Sequence, residues 1–403
     1  MADTPLLSVI DARSKILAAL HTVPSETVPL SQALGRILAE DAIARRTQPP
    51  ADLSAMDGYA VRAGDTANVP ARLDVAGEAP AGGAYDGDLK AGEAVRIFTG
   101  APLPRGADAI VIQEDTVREG KHVVVNEAAK PGDHVRATGL DFRTGDSGIL
   151  HGTRLNHADI ALAAAMNVCE LKVARRPVIA FFSTGNELVR PGDEPGAHQI
   201  VSANNDGLAA LISEAGGEPL DLGIARDEEA DIRQTAERAK QADMLVTLGG
   251  ASVGDHDLVQ SALTPDGLDI EFWRVAMRPG KPLMFGALGE LPMLGLPGNP
   301  VSALVCAVLY LKPAILRMQG GNPGPHFVMA RLGREVPGNG AREDYMRAAL
   351  DHIDGELSVA TPFEKQDSSM LSTLSQAGCL IVRPPFADPA KPGEIVKILP
   401  LRA

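Results

Sequence analysis

The stretch from residue 173 to 320 constrains the fold most. Apolar strand-like runs there alternate with helical patterns, and several runs end in polar loops that carry glycine. "RRPVIAFFSTGNE" reads as a strand and its loop, and "NDGLAALISEAGG" as a helix stopped by glycine. "EPLDLGIARD" is a short strand, "EEADIRQTAERAKQA" an amphipathic helix, and "DMLVTLGGASVGDHD" an apolar strand running into glycines. "MLGLPGNPVSALVCAVLYLKPAILRM" closes the series with a long apolar helix. Alternation of this kind predicts a mostly parallel sheet with helices on both faces.

The flanks differ. Residues 7–20 have helical apolar spacing, residues 30–44 have it more weakly, and Pro49 and Pro50 end it. From 46 to about 140, short apolar runs (Tyr59–Val61, Ala94–Phe98, Ala109–Gln113, His122–Val125) alternate with Gly, Pro and Asp clusters, the texture of a small all-β unit. Residues 155–166 read as helix again, so this β unit is an insertion between helical segments. After 323, "HFVMARLGREV", "DYMRAALDHI", "ELSVATPF", "CLIVRPP" and "EIVKILPL" predict a C-terminal β domain, a barrel or a sandwich. The expected class is multidomain α/β and β. It has a helical, elongated segment (1–45 and 140–172), an inserted β domain (46–139), an α/β domain (173–322) and a C-terminal β domain (323–403). No internal repeat or low-complexity tract interrupts the 403 residues.

Composition narrows the function classes. A formal charge of 38 − 52 = −14 argues against a general nucleic-acid binder, which needs a basic face. Cys169, Cys306 and Cys379 form no CxxC or disulfide framework, which suits a reducing compartment. The N-terminal sequence lacks a signal-peptide pattern and no run approaches 18 uninterrupted apolar residues. A cytoplasmic protein without a membrane span is therefore expected.

In open parallel sheets, ligands bind beyond the carboxyl ends of the strands. Three loops are expected there: Ser183–Leu188 with Gly185, Leu248–Asp257 with Gly249, Gly250, Ser252 and Gly254, and "LPGNP" with Pro297, Gly298 and Asn299. Any one is equally readable as a plain turn. Three together favour a backbone cradle for a phosphate-bearing ligand, the third with the added pull of a helix N-terminus. None is G-x-G-x-x-G or a P-loop. Glu187, Asp227, Asp255 and Asp257 sit at the same strand ends. Carboxylates beside an anion call for a cation between them, and Mg²⁺ binds through one or two carboxylates plus phosphates. "WRVAMRPGKP" adds Arg274, Arg278 and Lys281, a surface strand or an oxyanion grip. Nine histidines without metal-ligand spacing make zinc an unlikely partner, and Cys306 lies in an apolar helix as a core residue. Asp57 in "SAMDGYAV" and Thr99 in "IFTGAPLPRGADAIV" stand at rigid turns of the β unit.

These stretches, with "MRPGKP" and "GLPGNPVSALV", appear together in an order that resembles the molybdopterin molybdenumtransferase family, the bacterial MoeA group and the matching domain of gephyrin. Weaker matches at "EDYMRAAL" and "QDSSMLSTLSQAGCLIV" carry the resemblance to about residue 382. It implies an elongated four-part subunit acting as a homodimer. It implies Mg²⁺-dependent insertion of molybdate into adenylylated molybdopterin with release of AMP, between an upstream adenylyltransferase and downstream molybdoenzymes or their chaperones. Carried over by position, the acidic set is Asp57, Glu187, Asp227 and Asp257, the last three near the metal and Asp57 reaching across the dimer. Thr99 and Asp141 match further site positions, and Arg274, Arg278, Lys281, Arg347 and Ser368 form the molybdate side. In the implied mechanism Arg278 and Lys281 hold molybdate against the ligand's dithiolene sulfurs, and molybdate oxygen or water attacks the phosphoanhydride. Departures are Arg274 and Arg278 where members often carry Lys, "QDSS" for a commoner Gln-Gly-Ser, and no Gly near 167. Two alternatives stay open: a paralogue that adenylylates the pterin or handles tungstate, and a non-catalytic carrier or scaffold.

Overall fold

The computed structural model describes residues 6–250, 258–352 and 356–402. The chain forms two compact units, residues 27–173 and residues 1–26 with 174–403.

Within 27–173, a six-stranded sheet runs in the order Ala109–Ile112, Gly58–Val61, Glu93–Ile97, Ala71–Ala79, His122–Val125, Thr116–Glu119. All four apolar runs read from the sequence fall in it. Side chains alternate between its faces, so Tyr59 and Val61 join one core while Ala60, Val95 and Ile97 join another. A smaller core of Leu38, Phe142, Ile149, Leu155 and Met166 gathers the segments on either side of the insertion. The helix His157–Ala165 starts on a capping box, with the Asn156 side chain accepting from Asp159 N–H and the Asp159 side chain accepting from Asn156 N–H. It ends at Met166, and Asn167 follows at φ 62°, in the left-handed region that Asn tolerates after a helix. That accounts for the missing glycine near 167.

The weak helix expected over 30–44 does not form. A single 3₁₀ turn covers Leu30–Gln32, and Ala42–Ile43 pairs antiparallel with Ser147–Ile149. Long-range strand pairing here outweighs a helix propensity of a few tenths of a kcal/mol per residue, on the order seen for ordinary residues.

The second unit holds the α/β sheet. Its elements are β1 (Val178–Thr184), α1 (Asn204–Glu214), β2 (Glu218–Ala225), α2 (Glu229–Glu237), β3 (Met244–Leu248), β4 (Leu268–Trp273), β5 (Met284–Leu288), β6 (Leu291–Leu296) and α3 (Pro300–Met318). The order is β2-β1-β3-β6-β5-β4. β2, β1, β3 and β6 are mutually parallel, and β5 and β4 extend the sheet antiparallel. Along β1, Ile179 and Phe181 enter the core shared with α1 and α3, whereas Ala180 and Phe182 enter the core shared with α2. The sheet is therefore covered on both faces, which explains its near-continuous apolar strands. The helix Val9–Ala18, capped by Ser8, packs Val9, Ala12 and Ile16 into the first of these cores.

α3 is long and apolar enough to cross a membrane, yet 72% of its most apolar window is buried inside the protein. It is a core helix, and Cys306 on it is fully buried. The C-terminal strands Val328–Leu332, Glu343–Asp351, Val359–Pro362, Cys379–Arg383 and Ile395–Pro400 close into a ring, because the second also pairs with the fourth. The C-terminal domain is thus a five-stranded barrel, and closure leaves those five strands without a free edge. A short strand, Met277–Arg278, joins it parallel to Glu343–Asp344.

Candidate functional site

A cavity of about 860 Å³ opens at the carboxyl ends of the parallel strands. Its wall is built by Thr184, Gly185 and Glu187 after β1, Asp227 after β2, Leu248, Gly249 and Gly250 after β3, and Pro297, Gly298 and Asn299 after β6. Ser202–Asn204 at the start of α1 and Ser369 from the C-terminal domain complete it, with apolar Leu188, Ile200 and Val201 on one side. All three glycine loops expected from the sequence therefore contribute. Ser252, Gly254, Asp255 and Asp257 lie outside the described residues.

Two glycines have geometric reasons. Gly249 has φ 90°, and a Cβ on it would sit 3.2 Å from the Thr184 carbonyl oxygen. A Cβ on Gly185 would sit 2.6 Å from Glu187 Oε2, so the Glu187 carboxylate folds back over bare backbone. The N–H groups of Gly250, Gly298 and Asn299 find no acceptor among the described residues. Backbone donors without a protein acceptor on a cavity wall can serve as an anion cradle. The N-terminus of α3 adds less than its sequence implies. Pro300 has no N–H, and the Val301 N–H donates to the Ser368 carbonyl at 3.1 Å.

Asp227 is fixed by reciprocal bonds. Asn186 N–H donates to Asp227 Oδ2 at 3.1 Å, and Asp227 N–H donates to Asn186 Oδ1 at 3.2 Å. The Asp227 Oδ1 has no donor among the described residues. Ser183 lies one layer below the cavity, fully buried, with its hydroxyl 2.6 Å from Asn205 Oδ1. Asn205 passes the link on to Asp221 Oδ1 at 3.0 Å. Ser183 thus braces the wall and does not face a ligand.

The basic loop is held by Arg274 N–H donating to Leu283 O and Val275 N–H to Lys281 O. Arg274 stacks its guanidinium 5.0 Å over Trp273. Arg278 bonds Asp344 at 2.7 Å; the guanidinium is 58% exposed and the carboxylate only 6%. Burial raises the Asp344 carboxyl pKa and Arg278 opposes that rise. Lys281 is half-buried, and the neighbouring Pro282 reaches the cavity.

Two residues of the molybdate set need correction. Arg347 is 1% exposed, and it donates to Asp367 O at 2.9 Å, Met370 O at 3.3 Å and Gln366 Oε1 at 3.3 Å. It ties down the 366–370 loop. Ser368 offers its carbonyl to α3, and Ser369 is the residue that reaches the cavity. Ser369 is held by Asp367, which accepts from its N–H at 2.9 Å and its hydroxyl at 2.6 Å. The sequence carried no sign of burial at 347, so the guanidinium looked available. Asn204 and Ser369 also line the cavity, and no local motif in the sequence marks them.

Asp57, Thr99 and Asp141 belong to the other compact unit. The structure brings the first two together: Thr99 N–H and Oγ1 both donate to Asp57 Oδ1 at 2.8 Å. The backbone bond first, then the hydroxyl, hold the Asp57 carboxyl below the usual carboxylate range. Its ionised form is favoured, so any stability from this pair is present above the ordinary carboxylate pKa and is lost as pH falls through the depressed one. Thr99→Val should move the Asp57 pKa upward, read by carboxyl NMR titration. An unmoved titration would show that the hydroxyl does not set it. Among the described residues Asp141 engages through its backbone, N–H to Gln48 O at 3.0 Å.

Comparison with known proteins converges on one family. Residues 7–167 match the family described as MoeA N-terminal region (domain I and II), residues 180–317 a probable molybdopterin binding domain, and residues 329–401 the MoeA C-terminal region (domain IV). A molybdopterin molybdenumtransferase of Nostoc sp. is 38% identical over 395 residues, covering 94% of this chain and 91% of that protein. One from Haemophilus influenzae is 35% identical and covers 98% of each. The crystal structure of a molybdopterin biosynthesis MoeA protein from Pyrococcus horikoshii superposes with a TM-score of 0.83 at 32% identity, over 99% of this chain and 100% of the other. With the same order of domains and relatives matched nearly end to end, the chain belongs to the MoeA family of molybdopterin molybdenumtransferases.

Proposed function

We propose that this protein inserts molybdate into adenylylated molybdopterin and releases AMP, in the cytoplasm and with Mg²⁺. The observation that carries the reading is the cavity itself. Unpaired N–H groups of Gly250, Gly298 and Asn299 share its wall with the carboxylates of Glu187 and Asp227. A phosphoanhydride needs the first, and the second would repel it without a cation.

The donor set suits Mg²⁺. Glu187 and Asp227 are hard oxygen donors, and no group of three His, Cys, Asp or Glu forms a cage among the described residues. An ion that keeps waters and takes phosphate oxygens fits such a partial site. When bound by Glu187 and Asp227, with Asp257 as a further ligand, Mg²⁺ supplies neutralisation of the phosphate charge. The chain's own residues do the rest. Backbone donors orient the phosphates, Asn186 fixes Asp227, and Arg274, Arg278 and Lys281 receive the molybdate dianion. Asp344 keeps Arg278 extended until an oxyanion competes for it.

The test is AMP release from adenylylated molybdopterin with and without molybdate and Mg²⁺. Release that needs Mg²⁺ and rises with molybdate is expected. Stoichiometric binding without release would make the chain a carrier.

The family resemblance further implies a homodimer in which Asp57 acts at the partner's site. Mixing Asp57→Ala and Asp227→Ala proteins after dissociation and reassociation should restore part of the activity each lacks. No recovery in a verified mixed dimer would confine Asp57 to its own subunit.

A further inference from the structure

Gly298 and Asn299 share one peptide group in the cavity wall. It is trans, since the cis bonds of the described residues lie before Pro49, Pro70 and Pro279. Its C=O and N–H therefore point in opposite directions. The carbonyl is held: Gly298 O accepts from Asn204 Nδ2 at 2.8 Å. The N–H of Asn299 meets no acceptor among the described residues. Both residues are exposed, so water can take this donor in the free protein and a ligand oxygen can replace that water.

Asn204 is itself 8% exposed and forms part of the same wall. Its amide has one sensible orientation. Turned over, Oδ1 would face the Gly298 oxygen, acceptor against acceptor. The pair is framed by Pro297 and Pro300, and the Asn299 carbonyl accepts from Ala303 N–H at 2.9 Å. Gly298 carries no side chain, and a Cβ there would touch only Gly249 Cα, at 3.5 Å. Asn299, at φ −63° and ψ 126°, bars a full flip of the peptide, but its plane can still tilt about Gly298, and the Asn204 bond fixes that tilt.

We propose that Asn204 is a positioning residue: it locks the Gly298–Asn299 peptide with the Asn299 N–H facing the cavity, where it donates to a phosphate oxygen of the ligand. The proposal rests on the cavity's reading as a phosphoanhydride site. It adds the residue that holds that site's backbone donor in place.

The probe is inorganic pyrophosphate alone, titrated into protein labelled with ¹⁵N-asparagine and ¹⁵N-glycine. In the wild type, the Asn299 amide resonance shifts and saturates with pyrophosphate. In Asn204→Ala, the Asn299 shift is lost and pyrophosphate affinity falls by about tenfold or more, as for a lost bond to a charged group. A merely structural role for Asn204 would leave the Asn299 response in place. Pyrophosphate binding with a static Asn299 amide in the wild type overturns the proposal without any variant, as does absence of binding. Undiminished affinity in a folded Asn204→Ala protein overturns it too. A normal Asn299 response in a protein that releases no AMP would instead fault the molybdate reading and leave the lock standing.

Discussion

Asp227→Asn is expected to lower AMP release on the order of 100-fold at limiting Mg²⁺, the effect of losing roughly 3 kcal/mol of charge stabilisation. The variant keeps its shape and its backbone bond to Asn186 Oδ1, so the cavity wall stays in place. What changes is the formal charge beside the oxygen that has no donor among the described residues. Two signatures accompany the loss: the Mg²⁺ concentration for half-maximal release rises, and thermal stability stays near that of the wild type. Release unchanged across the Mg²⁺ titration would remove Asp227 from the metal site and shift that role to Glu187 or to the loop after β3.

The largest stability effect is expected at Arg347. Arg347→Met removes the donors of Asp367 O, Met370 O and Gln366 Oε1 inside the protein. The three acceptors are only part-buried, so water can replace some of the lost bonds, and a net loss of about 2 kcal/mol in the barrel is expected. Hydrogen exchange at the amides of Glu343–Asp351 and Cys379–Arg383 would report it locally. Lys at 347 should rescue little, because one ammonium cannot span the positions a guanidinium fork reaches. Full stability in Arg347→Met with a lost response to molybdate would reverse the assignment and make Arg347 an oxyanion ligand.

How far the sequence was legible follows from what kind of information each feature needs. Strand ends and glycine loops are local, so the sequence alone points to Ser183–Leu188, Leu248–Asp257 and "LPGNP", and Gly185, Gly249, Gly250 and Gly298 from them line the cavity. It points likewise to the five barrel strands, each a short apolar run between turns. Segment 30–44 failed because its fate depends on Ser147–Ile149, more than a hundred residues away. The same gap separates the two views of Arg347. A motif can locate a guanidinium, but only packing shows that the Asp367 and Met370 carbonyls already hold it. Asn204 was invisible for a related reason: its role is a bond to Gly298, 94 residues on. Ser368 and Ser369 differ by one position, and backbone direction decided which of them faces the cavity.

The two-residue strand Met277–Arg278 has a further consequence. Met277 is fully buried and the Arg278 guanidinium is mostly exposed, as neighbours on a strand point to opposite sides. Pairing with Glu343 and Asp344 sets that parity. A slip of one position would drive a guanidinium into the interior and leave a thioether in the water. The barrel therefore serves as a vernier for the basic loop. Its pairing frame, written in the last fifth of the chain, decides which side chain of an earlier segment is offered to solvent, where the proposed oxyanion would arrive.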